Sequence, residues 1–188
     1  MWIFPTLFGV QVPSGSYSQS MGPKPGQEPN TSRHPLDPLF IVAFSFFAFT
    51  SIILEQWIVF GVDLRAARDP IGRAWRWYAE TFDPLLFDQL LSIRVMFGID
   101  AWVFGTFYMV LVYAFVRRRN WIRMPALLYA AAMFYSVVVY ILMEVFSEHA
   151  AQTNLPIVLL IGAPYTIIPL LLAYRVWRPN PFGDRAPG

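Results

Sequence analysis

Four long apolar segments dominate the pattern of hydrophobic and polar positions along this chain. Each has slightly more than 20 residues, and they run over Pro38–Val62, Val95–Val116, Pro125–Phe146 and Leu155–Trp177. A helix rises about 1.5 Å per residue, so each segment is long enough to cross a bilayer core of about 30 Å. Polar and apolar residues do not alternate along them as they do in barrel strands. The pattern predicts an all-α integral membrane protein, a bundle of four transmembrane helices.

The stretches outside these segments predict three regions. Residues 1–35 begin with aromatic residues and continue with a segment rich in Ser, Gly, Pro and Gln, which is typical of an extended arm. The four spans make residues 36–178 one transmembrane domain, and residues 179–188 form a short tail. The N-terminal arm is a candidate contact with other membrane subunits.

The connection between the first two spans carries its own signals. Aromatic and charged residues are interleaved around Trp75 and Trp77, which predicts an amphipathic segment at the membrane interface. Asp83-Pro84 predicts a helix start, because Asp caps helices and Pro is favoured at the first helical position. We expect that helix to continue from Leu85 through Arg94 into the second span.

The distribution of basic residues predicts the orientation of the bundle. Four spans place both termini on one side, and nine of the fourteen basic residues lie on that side. The positive-inside rule then places both termini and the turn Arg117–Arg123 in the cytoplasm. We expect the inner membrane if the protein is bacterial and the endoplasmic reticulum membrane if it is eukaryotic.

Composition excludes several classes of function. The chain is 56% hydrophobic and only 14% charged, and it contains no cysteine, so disulfides, thiolate metal sites and cysteine nucleophiles are excluded. A net charge of +2 does not favour nucleic-acid binding. The sequence has no phosphate-binding glycine loop, nucleophile elbow or zinc-binding helix motif. We therefore expect no metal, no cofactor and no nucleic-acid partner.

Three acids lie at membrane depth, namely Glu55, Asp100 and Glu144. A charged carboxylate within a span costs at least about 2.5–3.5 kcal/mol, which makes each acid a candidate functional group. By position along their helices, all three fall in the same leaflet and are expected to converge on one polar pocket. Tyr165 lies between two prolines of the fourth span and is expected to reach that pocket. The alternative is a structural hydrogen bond between helices.

Several short motifs resemble one known family, the EXPERA-domain family, which includes the sigma-2 receptor and the emopamil-binding protein. The similarity covers roughly residues 38–177 and keeps the same order along the chain. The motifs are Trp77-Tyr78-Ala79, Asp83-Pro84-Leu85-Leu86, Trp121-Ile122-Arg123 followed by Pro125-Ala126 and Tyr129, and Ala163-Pro164-Tyr165 followed by Ile168-Pro169.

The resemblance implies a four-helix bundle with a lipid-facing cavity for sterols and cationic amphiphiles. It places Asp100 at the second-helix acid of the sigma-2 receptor, as a ligand-binding position. Glu55-Gln56-Trp57 resembles the first-helix motif of the sterol isomerase, in which a catalytic histidine precedes the acid by four residues. Ser51 stands at that position here. Asp63-Leu64 followed by Ala66 resembles the receptor's first-helix acid motif, so Glu55 and Asp63 remain alternatives for that acid.

These observations favour a membrane-embedded binding protein for a sterol-like, terpenoid or cationic amphiphilic ligand, surrounded by membrane lipids. One alternative is a non-catalytic accessory subunit of a larger membrane complex, such as a bacterial energy-transducing, respiratory or photosynthetic assembly, held by residues 1–35. A second alternative is a double-bond isomerase acting on sterols or terpenoids. The candidate ligand-binding residues are Asp100, Glu55, Asp63, Tyr165, Trp57, Trp102, Tyr140 and Glu144.

Overall fold

Five main helices make up the computed structural model of the protein, which describes residues 34–183. Those residues contain no strand, and four of the helices are long and apolar enough to cross a membrane. The prediction of an all-α, multi-pass membrane protein is therefore confirmed. The predicted N-terminal arm lies outside the described residues except for its last two positions. The helices are α1 (Asp37–Val59), α2 (Pro70–Thr81), α3 (Leu91–Val116), α4 (Arg123–Phe146) and α5 (Leu155–Val176).

The connection between α2 and α3 differs from its prediction. A short 3₁₀ helix, Pro84–Phe87, does follow Asp83, but it does not run into the second span. Gln89 has a φ of 44°, in the left-handed region, and this breaks the helical path before α3 begins at Leu91. The Gln89 side-chain amide donates a hydrogen bond to the Val62 carbonyl, which holds this break against the end of α1.

The spans pack mainly as two hairpins, α1 with α3 and α4 with α5. A large aromatic core joins the hairpins through Phe44, Tyr108 and Tyr129, whose rings lie 5.6–6.1 Å apart. A smaller core lies at the other end, where Ile58 and Ile93 pack with Leu86. It includes residues of α2 and of the 3₁₀ helix, so burial of these apolar side chains holds the amphipathic segment on the ends of α1 and α3.

A buried ion pair closes the end of the bundle at which α1 begins and α5 ends. The Arg175 guanidinium donates from Nε to Asp37 Oδ1 at 2.9 Å and from Nη2 to Oδ2 at 3.3 Å. Both side chains are more than 90% buried. Arg175 also donates to the Pro181 carbonyl and lies over the Phe182 ring, so the segment after α5 is fixed by the same cation.

Candidate functional site

Two π-helical turns lie side by side in the spans α1 and α3. The first covers Thr50–Leu54 and the second Asp100–Phe104, and the two turns contact each other. Gly105 allows this approach, because a Cβ atom at that position would lie 2.8 Å from Ile52 Cγ1. A π turn widens the helix by one residue and frequently occurs at functional sites. Here the widening changes which side chains of α1 and α3 face each other.

Side chains from the first helix and from α2 satisfy carbonyls of the π turn in α1. Gln56 Nε2 donates to the Ile52 carbonyl at 2.9 Å, and Trp75 Nε1 donates to the Leu54 carbonyl at 2.7 Å. Backbone carbonyls in a membrane must be satisfied internally, so these two donors stabilise the irregular turn. The Trp75 bond also attaches α2 to the segment that carries Ser51 and Glu55.

The start of α2 is fixed to α1 by a second indole. Trp57 Nε1 donates to Asp69 Oδ2 at 3.1 Å, while Asp69 Oδ1 caps the helix by accepting from the Gly72 amide at 2.8 Å. The hydrogen bond from the Gly72 amide lowers the pKa of Asp69 below its ordinary value, and the Trp57 indole lowers it further. Trp57 therefore positions the amphipathic helix.

The two π turns bring Glu55 and Asp100 to one buried hydroxyl. Ser51 Oγ lies 2.7 Å from Asp100 Oδ2 and 3.3 Å from Glu55 Oε1. The Tyr108 hydroxyl donates to the other oxygen of Asp100 at 2.8 Å. Ser51 is completely buried and Glu55 is 7% exposed. This group, Ser51, Glu55, Asp100 and Tyr108, is called the acid pair site below.

Hydrogen-bond acceptors outnumber donors at the acid pair site. Glu55 Oε2 and the neighbouring Gln56 Oε1 are buried and accept no hydrogen bond from the described residues. A buried acceptor without a donor costs about 1–3 kcal/mol. The site is therefore suited to a group that donates hydrogen bonds or carries positive charge.

Tyr165 of α5 reaches the same π turn from the second hairpin. Its hydroxyl lies 2.9 Å from Thr50 Oγ1, and its ring stacks on Phe47 with centroids 4.4 Å apart. The helix α5 continues through Pro164 and Pro169 on either side of this tyrosine. Tyr165 thus joins the two hairpins one residue away from Ser51.

A second pair of buried acids lies between the connection after α2 and the end of α4. Asp83 and Glu144 lie beside each other, and they are 0% and 1% exposed. The Tyr140 hydroxyl donates to Asp83 Oδ2 at 2.5 Å, and Thr153 Oγ1 donates to Glu144 Oε2 at 3.1 Å. Burial raises the pKa of Asp83 above its ordinary value and likewise raises the pKa of Tyr78.

The side chain of Asp83 differs from its predicted capping role. It makes no capping hydrogen bond to the 3₁₀ helix that follows it. The carboxyl group instead points into the protein, where the Tyr140 hydroxyl donates to it and the Glu144 side chain lies beside it. Local sequence favours a cap at this position, but tertiary contacts with α4 determine where the side chain lies.

The structure distributes the predicted site residues over several places. Glu55 and Asp100 lie together with Tyr165 nearby, whereas Tyr140 and Glu144 belong to the second acid pair. Asp63 is exposed in the loop after α1 and accepts from the Arg65 amide. Trp102 is 59% exposed on the outer surface of α3. The expected convergence of three intramembrane acids is thus replaced by two separate pairs.

Three residues of the two acid pairs and their hydrogen-bond partners were not among the predicted site residues. Ser51 is a direct partner of both acids, Tyr108 lies eight residues after its partner Asp100, and Asp83 forms the second pair. The sequence signal for Tyr108 is its spacing of eight residues from Asp100, which places the two side chains near one face of a helix. Among residues 34–183, no three side chains of His, Asp or Glu are grouped as metal ligands.

Comparison with known proteins gives one family. The family described as EBP: EXPERA (expanded EBP superfamily) matches residues 70–176, more than half of the chain. The match contains Asp83, Asp100 and Tyr165 and begins after Ser51 and Glu55. Neither the curated proteins nor the solved structures contain a significant match to this chain. On the strength of the family match, this multi-pass membrane protein belongs to the EXPERA family, the expanded EBP superfamily.

Proposed function

We propose that the protein binds an apolar small molecule within the membrane and holds its polar end at the acid pair site. The ligand class is sterol-like, terpenoid or cationic and amphiphilic. The observation that carries the proposal is the excess of acceptors around Ser51, with Glu55 Oε2 and Gln56 Oε1 lacking donors. An ammonium or hydroxyl group on the ligand supplies what these atoms lack.

Counting protons supports a preference for a cation. Ser51 and Tyr108 each have one hydroxyl hydrogen, and both hydrogens are used when these residues donate to Asp100. The longer contact between Ser51 Oγ and Glu55 Oε1, at 3.3 Å, then either shares the Ser51 hydrogen or is made by a protonated Glu55. We propose a state in which Glu55 is protonated and Asp100 is ionised, so that the site offers one negative charge to the ligand.

The membrane surroundings strengthen the interaction with such a ligand. Charge–charge attraction is larger in a medium of low dielectric constant than in water, provided that the partners are well hydrogen-bonded. The aromatic rings of Phe47 and Tyr165 are stacked next to the π turn and present apolar surface close to the acids. Mostly apolar surroundings with few placed polar groups are typical of small-molecule sites.

A binding experiment with matched probes tests this proposal. The purified protein is titrated with a lipophilic tertiary amine, with the corresponding alcohol and with the corresponding hydrocarbon. We expect saturable binding of the amine, weaker binding of the alcohol and no saturable binding of the hydrocarbon. Asp100→Asn should weaken binding of the amine, whereas Glu80→Gln, on the exposed face of α2, should not. Equal binding of all three probes contradicts the proposal.

A second candidate is proton transfer on a sterol or terpenoid ring. The observation that favours it is the Ser51 hydroxyl, which contacts both carboxyl groups and offers a path for a proton between them. Moving a double bond requires adding a proton at one carbon and removing a proton from another, and two acids in different protonation states suit this. Incubation of a Δ8 sterol in D₂O tests it, because turnover places deuterium in the product.

A further inference from the structure

An apolar groove lies on the outer surface between α3 and α4, separate from the two acid pairs. Its volume is about 430 Å³. From α3 it is lined by residues including Val103, Phe107 and Val110, and from α4 by residues including Pro125 and Ala132. The groove exists because these helices belong to different hairpins. A binding site in this groove would be independent of the function proposed for the acid pair site.

The interior of the groove is suited to a hydrocarbon chain and offers almost no hydrogen-bonding group to a polar ligand. Its one hydroxyl at the surface of α3, on Thr106, already donates to the Trp102 carbonyl at 2.8 Å. Tyr129 contributes its ring to the wall, while its hydroxyl oxygen is buried away from the groove. An oxygen-bearing ring system therefore finds no hydrogen-bond partner there. A flexible acyl chain needs none.

Both rows of lining residues lead to the arginine-rich turn between α3 and α4. On α3, Arg117 follows Val110 by seven residues and thus lies on the same face of the helix, about 10 Å further along. On α4, the lining residue nearest the helix start is Pro125, and Trp121, in the 3₁₀ turn Asn120–Ile122 just before α4, is 54% exposed. Arg117 and Arg119 are both exposed at this end. Positive charge and an interfacial tryptophan thus stand where the groove meets the membrane surface.

We propose that this groove binds one anionic phospholipid, with an acyl chain between α3 and α4 and its phosphate near Arg117 and Arg119. The charge of the turn selects the anionic headgroup, since each basic residue near the membrane surface contributes attraction to acidic lipids. The aromatic ring of Trp121 lies at headgroup level, where tryptophan is favoured. The apolar walls hold the chain by close packing.

Native mass spectrometry of the detergent-solubilised full-length protein tests this site. Dioleoyl phosphatidylglycerol and dioleoyl phosphatidylcholine are titrated as probes, because they share acyl chains and differ in charge. We expect one phosphatidylglycerol to bind at least tenfold more tightly than phosphatidylcholine. Equal affinity for the two lipids overturns the anionic class of the ligand.

Two pairs of variants locate the bound lipid. Ala132→Trp fills the groove and should abolish tight binding of phosphatidylglycerol, whereas Ala131→Trp places the same ring on the adjacent exposed position and should not. Removing Arg119 as Arg119→Gln should weaken binding about fivefold, and Arg178→Gln beyond α5 should leave it unchanged. Thermal unfolding of each variant verifies its fold. Tight binding retained by Ala132→Trp overturns the proposal.

Discussion

The Ser51 hydroxyl lies 2.7 Å from the Asp100 carboxylate, and this bond joins the π turns of α1 and α3. The sequence resemblance places Ser51 at the histidine position of the sterol isomerase, and the family match over residues 70–176 does not extend to it. In this chain the position therefore holds a hydrogen-bond donor that does not titrate near neutral pH. This difference supports the proposed binding of a cation over the proposed proton transfer.

Close approach of the two π turns depends on Gly105. We expect Gly105→Ala to destabilise the protein by about 1–3 kcal/mol, because the new methyl group lies 2.8 Å from Ile52 Cγ1. The measurement is the free energy of unfolding in mixed micelles. Gly162→Ala is the matched control, since no atom lies within 4 Å of its added Cβ. Equal effects of the two substitutions would show that the close approach is unimportant.

The indole of Trp75 stabilises the π turn through one hydrogen bond. Trp75→Phe keeps an aromatic ring but leaves the Leu54 carbonyl without its donor, and we expect a loss of about 1–3 kcal/mol in unfolding free energy. Trp77→Phe on the same helix is the control, because Trp77 is 61% exposed. A loss no greater than that of the control would mean that the bond contributes nothing measurable.

Breaking the buried ion pair should be costly, while replacing it as a whole should not. Asp37→Ala leaves Arg175 buried without its carboxylate, and we expect destabilisation by about 3–5 kcal/mol. The double variant Asp37→Leu with Arg175→Met should regain much of this stability. Unfolding free energies of Asp37→Leu, Arg175→Met and the double variant give the coupling energy. Additive losses from the two sites would contradict the pairing.

Asp83 predicts a pH dependence of stability. Burial raises its pKa, so the folded state binds the proton more tightly than the unfolded state does. Asp83 therefore contributes most to folding stability below the ordinary aspartate pKa. This contribution decreases as pH rises from the ordinary pKa to the raised pKa of the folded state. Asp83→Asn removes this titration but can still accept from Tyr140. In thermal unfolding, we expect wild type to lose stability relative to Asp83→Asn as pH rises above the ordinary aspartate pKa of about 4.

A constant difference in melting temperature between the two proteins over that range would contradict this account of Asp83. A second comparison isolates the hydrogen bond itself. Tyr140→Phe removes the donor to Asp83 Oδ2 without emptying the space that the ring fills. Because the remaining carboxyl is then less well satisfied, this variant should be less stable than wild type at neutral pH.

The spans were predictable from the sequence because bilayer thickness sets their length and hydropathy marks their extent. Glu55 and Asp100 were also correctly expected to lie near each other, since both fall at similar depth in neighbouring helices. Depth alone does not determine direction around a helix axis, however. Glu144 has comparable depth but faces Asp83, and hydropathy carries no information about that rotation.

The π turns could not have been predicted from hydrophobic pattern. Each adds one residue to a turn of an apolar helix, so it shifts the faces of α1 and α3 while leaving the apolar run unchanged. In the sequence, the distinguishing feature of Ser51 is its resemblance in position to the histidine of the sterol isomerase. Its hydrogen bond to Asp100 follows from the shifted register and from the space at Gly105, both of which are properties of packing.

The most direct test of the acid pair site is binding of a lipophilic tertiary amine to Asp100→Asn. Asparagine can keep hydrogen bonds with Ser51 and Tyr108, so the variant should fold, and thermal unfolding verifies this. Equilibrium titration of wild type and variant in the same detergent gives the two dissociation constants. We predict that Asp100→Asn abolishes saturable binding of the amine. An unchanged dissociation constant in the folded variant would contradict the central claim that Asp100 holds the polar end of the ligand.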